Sequence, residues 1–396
     1  MKQFKHELLR KNLLFLYSIA GVGALGLGLF RPILPIFARR VGASGFEVGL
    51  LTSGYMFARA IISIIIGKFI DLSGRKKIFI EFGFFFVFII TFGLLFVKSY
   101  HFLFLLRFLQ GICAGLIWPS AQIMVVDEAG VSYRTRALSL YQITGKIGFL
   151  LSRVILSLVL LASAFIGLDE IGSFRIVFLV STIILFMGFT GILVIPESRK
   201  KIKERRKGKP PYLMFFLAFI FGALIGLNSI SLVYINEQFD ITPLGIAILL
   251  LCVDLMTILW IYITSYLTDH IGTKKSLWLI IVPCIVSSIM LPFTPYFIIF
   301  VIFYIALKMS ISSFMPISRS YTSGVHNEVG INIGILNMMS NLGAVVGPIL
   351  GGLIYDSLPG EFKIAGYSII ALFLIPSFAM FLYPHFVRRN TRPQPI

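Results

Sequence analysis

The chain has 396 residues, of which 58% are hydrophobic and 13% are charged, and its formal net charge at pH 7 is +18. A soluble domain carries about 25% charged residues, so this composition excludes an ordinary soluble protein and indicates a chain that lies mostly in lipid. The three cysteines fall separately in apolar stretches, and the sequence has no nucleotide-binding, metal-binding or nucleophile motif. We therefore expect no enzyme, metal or cofactor.

Twelve apolar segments follow one another along the chain, and each is about long enough to cross a bilayer as an α-helix. They lie at 13–38, 46–70, 77–98, 101–126, 137–162, 174–195, 212–236, 243–268, 276–294, 296–320, 329–356 and 363–387. One long charged stretch separates the sixth segment from the seventh. We therefore predict an all-α membrane protein with an N-terminal six-helix bundle (1–195), a basic cytoplasmic linker (196–211) and a C-terminal six-helix bundle (212–396).

The distribution of basic residues predicts the orientation of these spans. With the N-terminus inside, 24 of the 35 Lys and Arg residues lie in cytoplasmic segments and 5 lie on the opposite side. Cytoplasmic loops carry such an excess, so we predict a multi-pass protein of the cell membrane with both termini in the cytoplasm. The same bias accounts for the net positive charge, so the expected partner is the lipid bilayer and not a nucleic acid.

A short pattern occurs twice, in the loops that follow the second and the eighth spans. The two aspartates of this loop signature lie 198 positions apart in the chain of 396 residues. A repeat of this length indicates a duplicated architecture, which is common in membrane transporters. The residues of the signature are Gly67, Asp71, Gly74, Arg75 and Lys76 in the first copy and Asp269, Gly272 and Lys274 in the second copy.

These motifs resemble those of the major facilitator superfamily. The family signature between spans 2 and 3 is Gly-x-x-x-Asp-(Arg/Lys)-x-Gly, from which this chain departs at Leu72. The family pattern Arg-x-x-Gln-Gly of span 4 is present from Arg107 to Gly111. The resemblance implies two pseudo-symmetric six-helix bundles, a monomer, and secondary transport of a small molecule by alternating access.

The loop signature is expected to act as a gate. Asp71 lies at the cytoplasmic end of span 2, where it is expected to face the positive N-terminus of a helix from the other half of the chain. Arg75 is then expected to reach Asp127 at the end of span 4. Together these contacts would hold the outward-facing state and open as the two halves move.

Charged side chains within the apolar spans need a reason, because each costs at least a few kcal/mol in lipid. Seven such residues lie at bilayer depth: Arg31, Arg59, Arg107, Lys146, Arg153, Asp254 and Lys308. Spans 3, 6, 9 and 12 have none at mid-depth, and in the family these four helices support the bundle from outside. Six of the seven are cations, and this excess predicts an anionic solute, because an empty positive cavity is costly. The predicted substrate-binding residues are Arg31, Arg59, Arg107, Lys146, Lys308, Tyr304 and Asn337.

The seventh charged residue, Asp254 in span 8, is the one carboxylate near mid-membrane depth. We expect Asp254 to take up and release a proton, and so to couple proton movement to transport. The structural alternative is that Asp254 forms an ion pair with Arg59 or Lys146.

Two other functions remain open. A broad-specificity drug/proton efflux antiporter is favoured by the many aromatic residues. Exporters of that kind usually carry a Gly-Pro pattern in span 5, whereas here the pattern lies in span 11, at 343–352. A remoter alternative is a membrane sensor or scaffold that transports nothing.

Overall fold

The structure, a computed structural model, describes residues 11–194, 212–325 and 329–376. These residues are almost wholly helical, and no β-strand occurs among them. Short 3-10 turns at Leu94–Phe96, Leu291–Phe293 and Gly360–Ile364 connect some of the helices. The α-helices are α1 (Lys11–Phe30), α2 (Leu34–Arg40), α3 (Gly45–Ser73), α4 (Lys77–Gly93), α5 (Tyr100–Phe165), α6 (Glu170–Leu193), α7 (Tyr212–Gly226), α8 (Asn228–Gln238), α9 (Pro243–Ile271), α10 (Thr273–Met290), α11 (Phe297–Val325), α12 (Val329–Ser357) and α13 (Gly366–Leu372).

Eleven helical segments of the described residues are long and apolar enough to cross a membrane. Two of them, Tyr100–Ala129 and Leu140–Phe165, lie within α5. The twelfth predicted span, 363–387, begins with the short helix α13, and the part beyond residue 376 lies outside the described residues. The prediction of an all-α multi-pass membrane protein is confirmed.

The structure differs from the predicted spans at three points. The loop expected between spans 4 and 5 is helical, so α5 continues through it. The first span is interrupted between α1 and α2, where Pro32 lacks the backbone N–H that a continuous helix needs. The seventh span is interrupted at Leu227, between α7 and α8.

The duplication in the sequence has a structural counterpart in α3 and α9. Both helices contain 29 residues, and both ends of one lie 198 positions from the ends of the other. The hydroxyl of Ser44 caps α3 by accepting a hydrogen bond from the backbone N–H of Glu47 at 3.1 Å. The hydroxyl of Thr242 accepts the equivalent bond from Gly245 at 3.2 Å. These equivalent caps stabilise the first turns of both helices.

The turns that flank these two helices are also repeated. Gly74 follows α3 with a φ of 69°, and Gly272 follows α9 with a φ of 85°. Glycine adopts this left-handed region without the steric cost that a side chain brings, which explains the glycine of the loop signature. In the turns that precede the two helices, Gly42 and Asp240 also have positive φ angles, of 93° and 52°.

The described chain divides into two compact units. Among the described residues, the first unit contains 11–194 and 235–254, and the second contains 212–234, 255–325 and 329–376. The predicted linker at 196–211 lies outside the described residues, so the predicted domain boundaries stay a prediction.

Glycine contacts bring the main helices together within each unit. In the first unit, a Cβ on Gly148 of α5 would lie 2.2 Å from the carbonyl oxygen of Gly21 in α1. In the second unit, a Cβ on Gly347 of α12 would lie 2.1 Å from the carbonyl oxygen of Ala223 in α7. Small residues let helices approach this closely in a membrane, so the glycine pattern at 343–352 has a packing role.

Candidate transport site

Three arginines of the first unit gather around the buried side chain of Tyr55 in α3. The guanidinium carbon of Arg107 lies 4.0 Å from the centre of the Tyr55 ring, and that of Arg31 lies 6.0 Å away. The charges of both arginines, and that of Arg59 one turn further along α3, act on the Tyr55 hydroxyl. We call these four residues the arginine cluster. Within the described part of the chain, none of its guanidinium groups forms an ion pair with a carboxylate.

The span 4 motif explains how Arg107 is held in this cluster. Arg107 is buried, and it donates a hydrogen bond of 3.0 Å to Gln110. Gln110 in turn donates to Thr91 of α4 at 3.1 Å. A Cβ on Gly111 would lie 2.4 Å from the carbonyl oxygen of Tyr55, so only glycine lets α5 approach α3 this closely. The motif therefore fixes Arg107 against Tyr55, whereas Arg31 and Arg59 are only half-buried.

Asp254 forms an ion pair with Arg153, at 3.1 Å between Nε and Oδ2. Arg153 also donates to the carbonyl oxygen of Gly28 in α1, at 2.9 Å. The structural alternative of an ion pair had named Arg59 or Lys146 and had not named Arg153. The Asp254 side chain keeps 35% of its surface exposed, against 13% for Arg153.

The remaining predicted binding residues lie in both units. Lys146 is exposed on α5 of the first unit. In the second unit, Lys308 lies 5.0 Å from the ring centre of Tyr304, whose buried hydroxyl donates to Asn228 at 3.0 Å. Asn337 is half-buried on α12. The structure therefore joins Lys308 to Tyr304 within the second unit, whereas the arginine cluster belongs to the first unit.

The first copy of the loop signature is attached to the rest of the first unit by one of its lysines. Lys76 forms a buried ion pair with Asp127 of α5. The prediction had assigned this partner to Arg75, which is exposed instead. Gly67 is half-buried near the end of α3. The side chains of three further signature residues lie outside the described residues: Asp71, Asp269 and Lys274.

A second group of ion pairs was not predicted. Arg39 contacts both carboxylate oxygens of Glu237, with the longer contact at 3.3 Å. The neighbouring Arg40 lies 3.0 Å from Glu170 and 3.3 Å from the side-chain oxygen of Asn236. From the sequence, Arg39 and Arg40 are only two of the five basic residues expected on the side of the membrane opposite the termini. The one signal that could have revealed the pair is its spacing, because Arg39 and Glu237 lie 198 positions apart, the period of the loop signature.

A cleft with a volume of about 560 Å³ lies between α1 and the second half of α5. We call it the apolar cleft; it extends from Leu14 to Leu25 on α1 and from Leu140 to Leu151 on α5. The hydroxyls of Ser18 and Thr144 in its wall donate to backbone carbonyls of their own helices, and so offer little to a ligand. The cleft therefore presents a nearly apolar wall.

The fold and these clusters define a multi-pass helical membrane protein with charged side chains grouped inside apolar helices, as in transporters of small molecules. The family model of the Major Facilitator Superfamily matches residues 16–213 and 214–395. The chain belongs to this superfamily, whose members are transporters and not enzymes.

Two bacterial drug-resistance proteins are similar to this chain over most of its length. Multidrug resistance protein 2 of Bacillus subtilis (strain 168) is 24% identical over 386 residues, which cover 90% of this chain and 92% of that protein. Quinolone resistance protein NorA of Staphylococcus aureus (strain MRSA252) is 23% identical over 359 residues, which cover 88% of this chain and 91% of that protein.

Two solved transporter structures share the fold. The crystal structure of the nucleoside transporter NupG superposes with a TM-score of 0.71 at 15% identity, covering 94% of this chain and 98% of that one. A bacterial homologue of the human lysosomal transporter Spinster, in an inward-facing and unoccupied conformation, superposes with a TM-score of 0.74 at 14% identity, covering 97% and 98%.

Proposed function

We propose that this transporter moves a small organic anion across the cell membrane by alternating access and that protons drive the movement. The arginine cluster carries the proposal. Its three cations have no carboxylate partner within the described part of the chain, and gathered positive charge is costly in a low-dielectric site. A bound anion would relieve this cost, and the guanidinium fork matches carboxylate, phosphate and sulfonate groups.

The roles within the arginine cluster differ with exposure. Arg107 is 6% exposed and bound to Gln110, so its role is to hold the ring of Tyr55 and to contribute charge. Arg31 and Arg59 are half-buried, so they are the groups that bind the anion directly.

Anion binding is tested by neutralising one arginine at a time in purified protein. Charge-assisted hydrogen bonds contribute about 1.5–3 kcal/mol each, so Arg31→Gln or Arg59→Gln should weaken anion binding roughly tenfold or more. Arg175→Gln is the matched control, because Arg175 is exposed on α6 and lies outside the cluster. A counterflow screen of labelled anions in proteoliposomes first identifies the transported anion. Equal affinity for its neutral amide analogue would contradict the proposal.

Proton coupling is assigned to Asp254 in the middle of α9. Its partner Arg153 also bonds α1 through Gly28, so protonation of the carboxylate would release a contact that links two helices. Asp254→Asn should abolish accumulation driven by a pH gradient and leave exchange at equal pH intact. Asp240→Asn, which removes the same charge from a turn, should change neither. Gradient-driven uptake by a stable Asp254→Asn protein would exclude this role.

The second candidate function is the efflux of drugs in exchange for protons. The drug-resistance function named for the Bacillus and Staphylococcus relatives favours it, as does the apolar cleft in the first unit. The two functions differ in the sign of the substrate charge. Proton-driven export of ethidium, unaffected by Arg31→Gln and Arg59→Gln, would favour drug efflux and count against the anion.

The orientation belongs to the same proposal, with both termini in the cytoplasm and the chain in the plasma membrane as a monomer. The excess of basic residues in the predicted cytoplasmic loops supports it. A reporter enzyme that works only in the cytoplasm should be active when it is fused to either terminus. Activity of an exported reporter at the C-terminus would contradict the orientation.

A further inference from the structure

Span 1 is interrupted at Pro32, and the interruption leaves one backbone carbonyl of α1 without its helical donor. In a continuous α-helix, the carbonyl oxygen of Gly28 would accept a hydrogen bond from the N–H of residue 32. Pro32 has no N–H, so this oxygen needs a partner from elsewhere. Arg153 of α5 supplies it, because its Nη1 donates to the Gly28 carbonyl oxygen at 2.9 Å. Arg153 therefore completes the hydrogen bonding of α1 at the break.

The contact between α1 and α5 at this point is close. A Cβ on Gly28 would lie 2.4 Å from the hydroxyl oxygen of Ser152 and 2.9 Å from a ring carbon of Phe149, so glycine is needed there. Arg153 is anchored a second time, since its Nε lies 3.1 Å from the carboxylate of Asp254. The planar guanidinium group binds both partners at once, a geometry that a lysine ammonium cannot reproduce.

Arg31 lies in the turn that this hydrogen bond stabilises. It is the first residue after α1, three residues beyond Gly28 and directly before Pro32. Its guanidinium carbon lies 5.6 Å from the ring centre of Phe149, and Phe149 lies one turn before Arg153 on the same side of α5. One side of α5 thus contacts α1 just before the break and Arg31 at the break.

We propose that Arg153 is a positioning residue of the anion site: by bonding Gly28 it holds the turn that carries Arg31, so that Arg31 is ordered before the anion arrives. This inference rests on the proposed function and adds a residue that acts on the same site. A binding group that is already ordered loses less conformational entropy when its ligand binds. The carboxylate of Asp254 keeps the Arg153 guanidinium group in place for this contact.

The test keeps the charge of residue 153 constant and changes only its geometry. Arg153→Lys retains the positive charge but cannot bond Asp254 and Gly28 together. Affinity is measured by calorimetry on the full-length protein in phosphatidylcholine nanodiscs, with benzoate, benzenesulfonate and phenylphosphate as probes. Arg153→Lys should weaken the binding of the tightest probe about fivefold, the order of magnitude that one lost hydrogen bond gives.

A second substitution restores the missing donor from α1 itself. Pro32→Ala returns a backbone N–H that can bond the Gly28 carbonyl oxygen without Arg153. The double variant of Arg153→Lys with Pro32→Ala should therefore bind the probe within about twofold of the wild type. In the Pro32→Ala background, Arg153→Lys should no longer weaken binding, which gives the same test if the single Arg153→Lys variant folds poorly.

Two variants supply matched controls. Pro283→Ala restores an N–H within α10 of the second unit, and it should leave the defect of Arg153→Lys uncorrected. The hydroxyl of Ser181 donates to the carbonyl oxygen of Gly26 in α1 at 2.5 Å, but this oxygen keeps its helical donor, the N–H of Phe30. Ser181→Ala should therefore leave probe affinity unchanged.

The outcomes separate this inference from the proposed function. Loss of probe binding in Arg31→Gln together with unchanged binding in Arg153→Lys would overturn the role of Arg153 and leave the anion site intact. A loss in Arg153→Lys that Pro32→Ala does not restore would also overturn this role, and would make Arg153 a direct ligand of the anion or a residue of general stability. Failure of all three probes to bind the wild type would overturn the anion site and the role of Arg153 together.

Discussion

Removing one partner of the buried ion pair between Lys76 and Asp127 should destabilise the protein strongly. The two side chains are only 3% and 5% exposed. An ion pair this well buried leaves an uncompensated charge when one partner is neutralised, at a cost of about 3–5 kcal/mol. Asp127→Asn should therefore lower the free energy of unfolding by about that amount. Replacing both residues, as Lys76→Met with Asp127→Leu, should recover most of the loss, because no charge is then left buried.

A neighbouring pair provides the internal control for this experiment. Lys77 and Glu81 lie one turn apart on α4, 3.2 Å from each other, with 19% and 26% of their side chains exposed. Pairs of this kind contribute about 0.3–0.5 kcal/mol, so Glu81→Gln should have a small effect. Unfolding by sodium dodecyl sulfate in mixed micelles measures the free energy of unfolding of the wild type and of these three variants. A loss below about 1 kcal/mol in Asp127→Asn, close to that of Glu81→Gln, would refute the reasoning from burial.

The same variants separate a structural role of this pair from gating. If the pair only stabilises the first unit, the double variant should regain both stability and transport. If the loop signature is a gate that depends on this pair, the double variant should regain stability while its transport rate stays low. Exchange in proteoliposomes, measured on variants matched for stability, decides between the two.

Three further predictions concern close backbone contacts and the unpredicted ion pair. Gly111→Ala should lower the free energy of unfolding by about 1–3 kcal/mol, because the added Cβ would overlap a backbone carbonyl of α3. The yield of protein in the membrane fraction measures the resulting loss of folding. Gly74→Ala should lower the free energy of unfolding by about 1 kcal/mol, because Gly74 has a φ of 69°, which alanine rarely adopts. Gly67→Ala should be neutral or stabilising in the same unfolding assay, because Gly67 lies in a helix and the added Cβ would meet no atom within 4 Å. Arg39→Glu should slow exchange in proteoliposomes, and adding Glu237→Arg should restore it if the pair itself matters.

The repeated frame of the fold could be predicted from the sequence because local rules determine it. Apolar segments of suitable length predict the spans, and the glycines of the loop signature predict tight turns. The 198-residue period then recurs in helix lengths, caps and φ angles, which depend on the residues within a few positions. The loop predicted at 127–136 is helical instead, but this error is local, because a helical connection leaves the order of the spans unchanged.

The partners of the charged residues could not be predicted in the same way. The sequence places several cations at a depth similar to that of Asp254, and only the tertiary contact between α5 and α9 shows that Arg153 pairs with it. Arg75 and Lys76 are adjacent cations of the loop signature, and the turn at Gly74 determines which one is buried. Such choices depend on side-chain directions set by tertiary packing, which spacing along the chain does not contain.

The positions that differ between the two copies are the most informative about transport. The caps and turns of α3 and α9 repeat, so these features build the shared frame and carry no preference for a solute. The charges in the middle of these two helices do not repeat: at the 198-residue offset, Arg59 corresponds to Thr257 and Asp254 corresponds to Met56. Duplication therefore supplies two similar bundles that can move against each other, and divergence supplies a cation in one copy and a carboxylate in the other. Restoring the repeat by Arg59→Thr should accordingly leave folding intact and weaken anion binding, which equilibrium unfolding and calorimetry can measure separately.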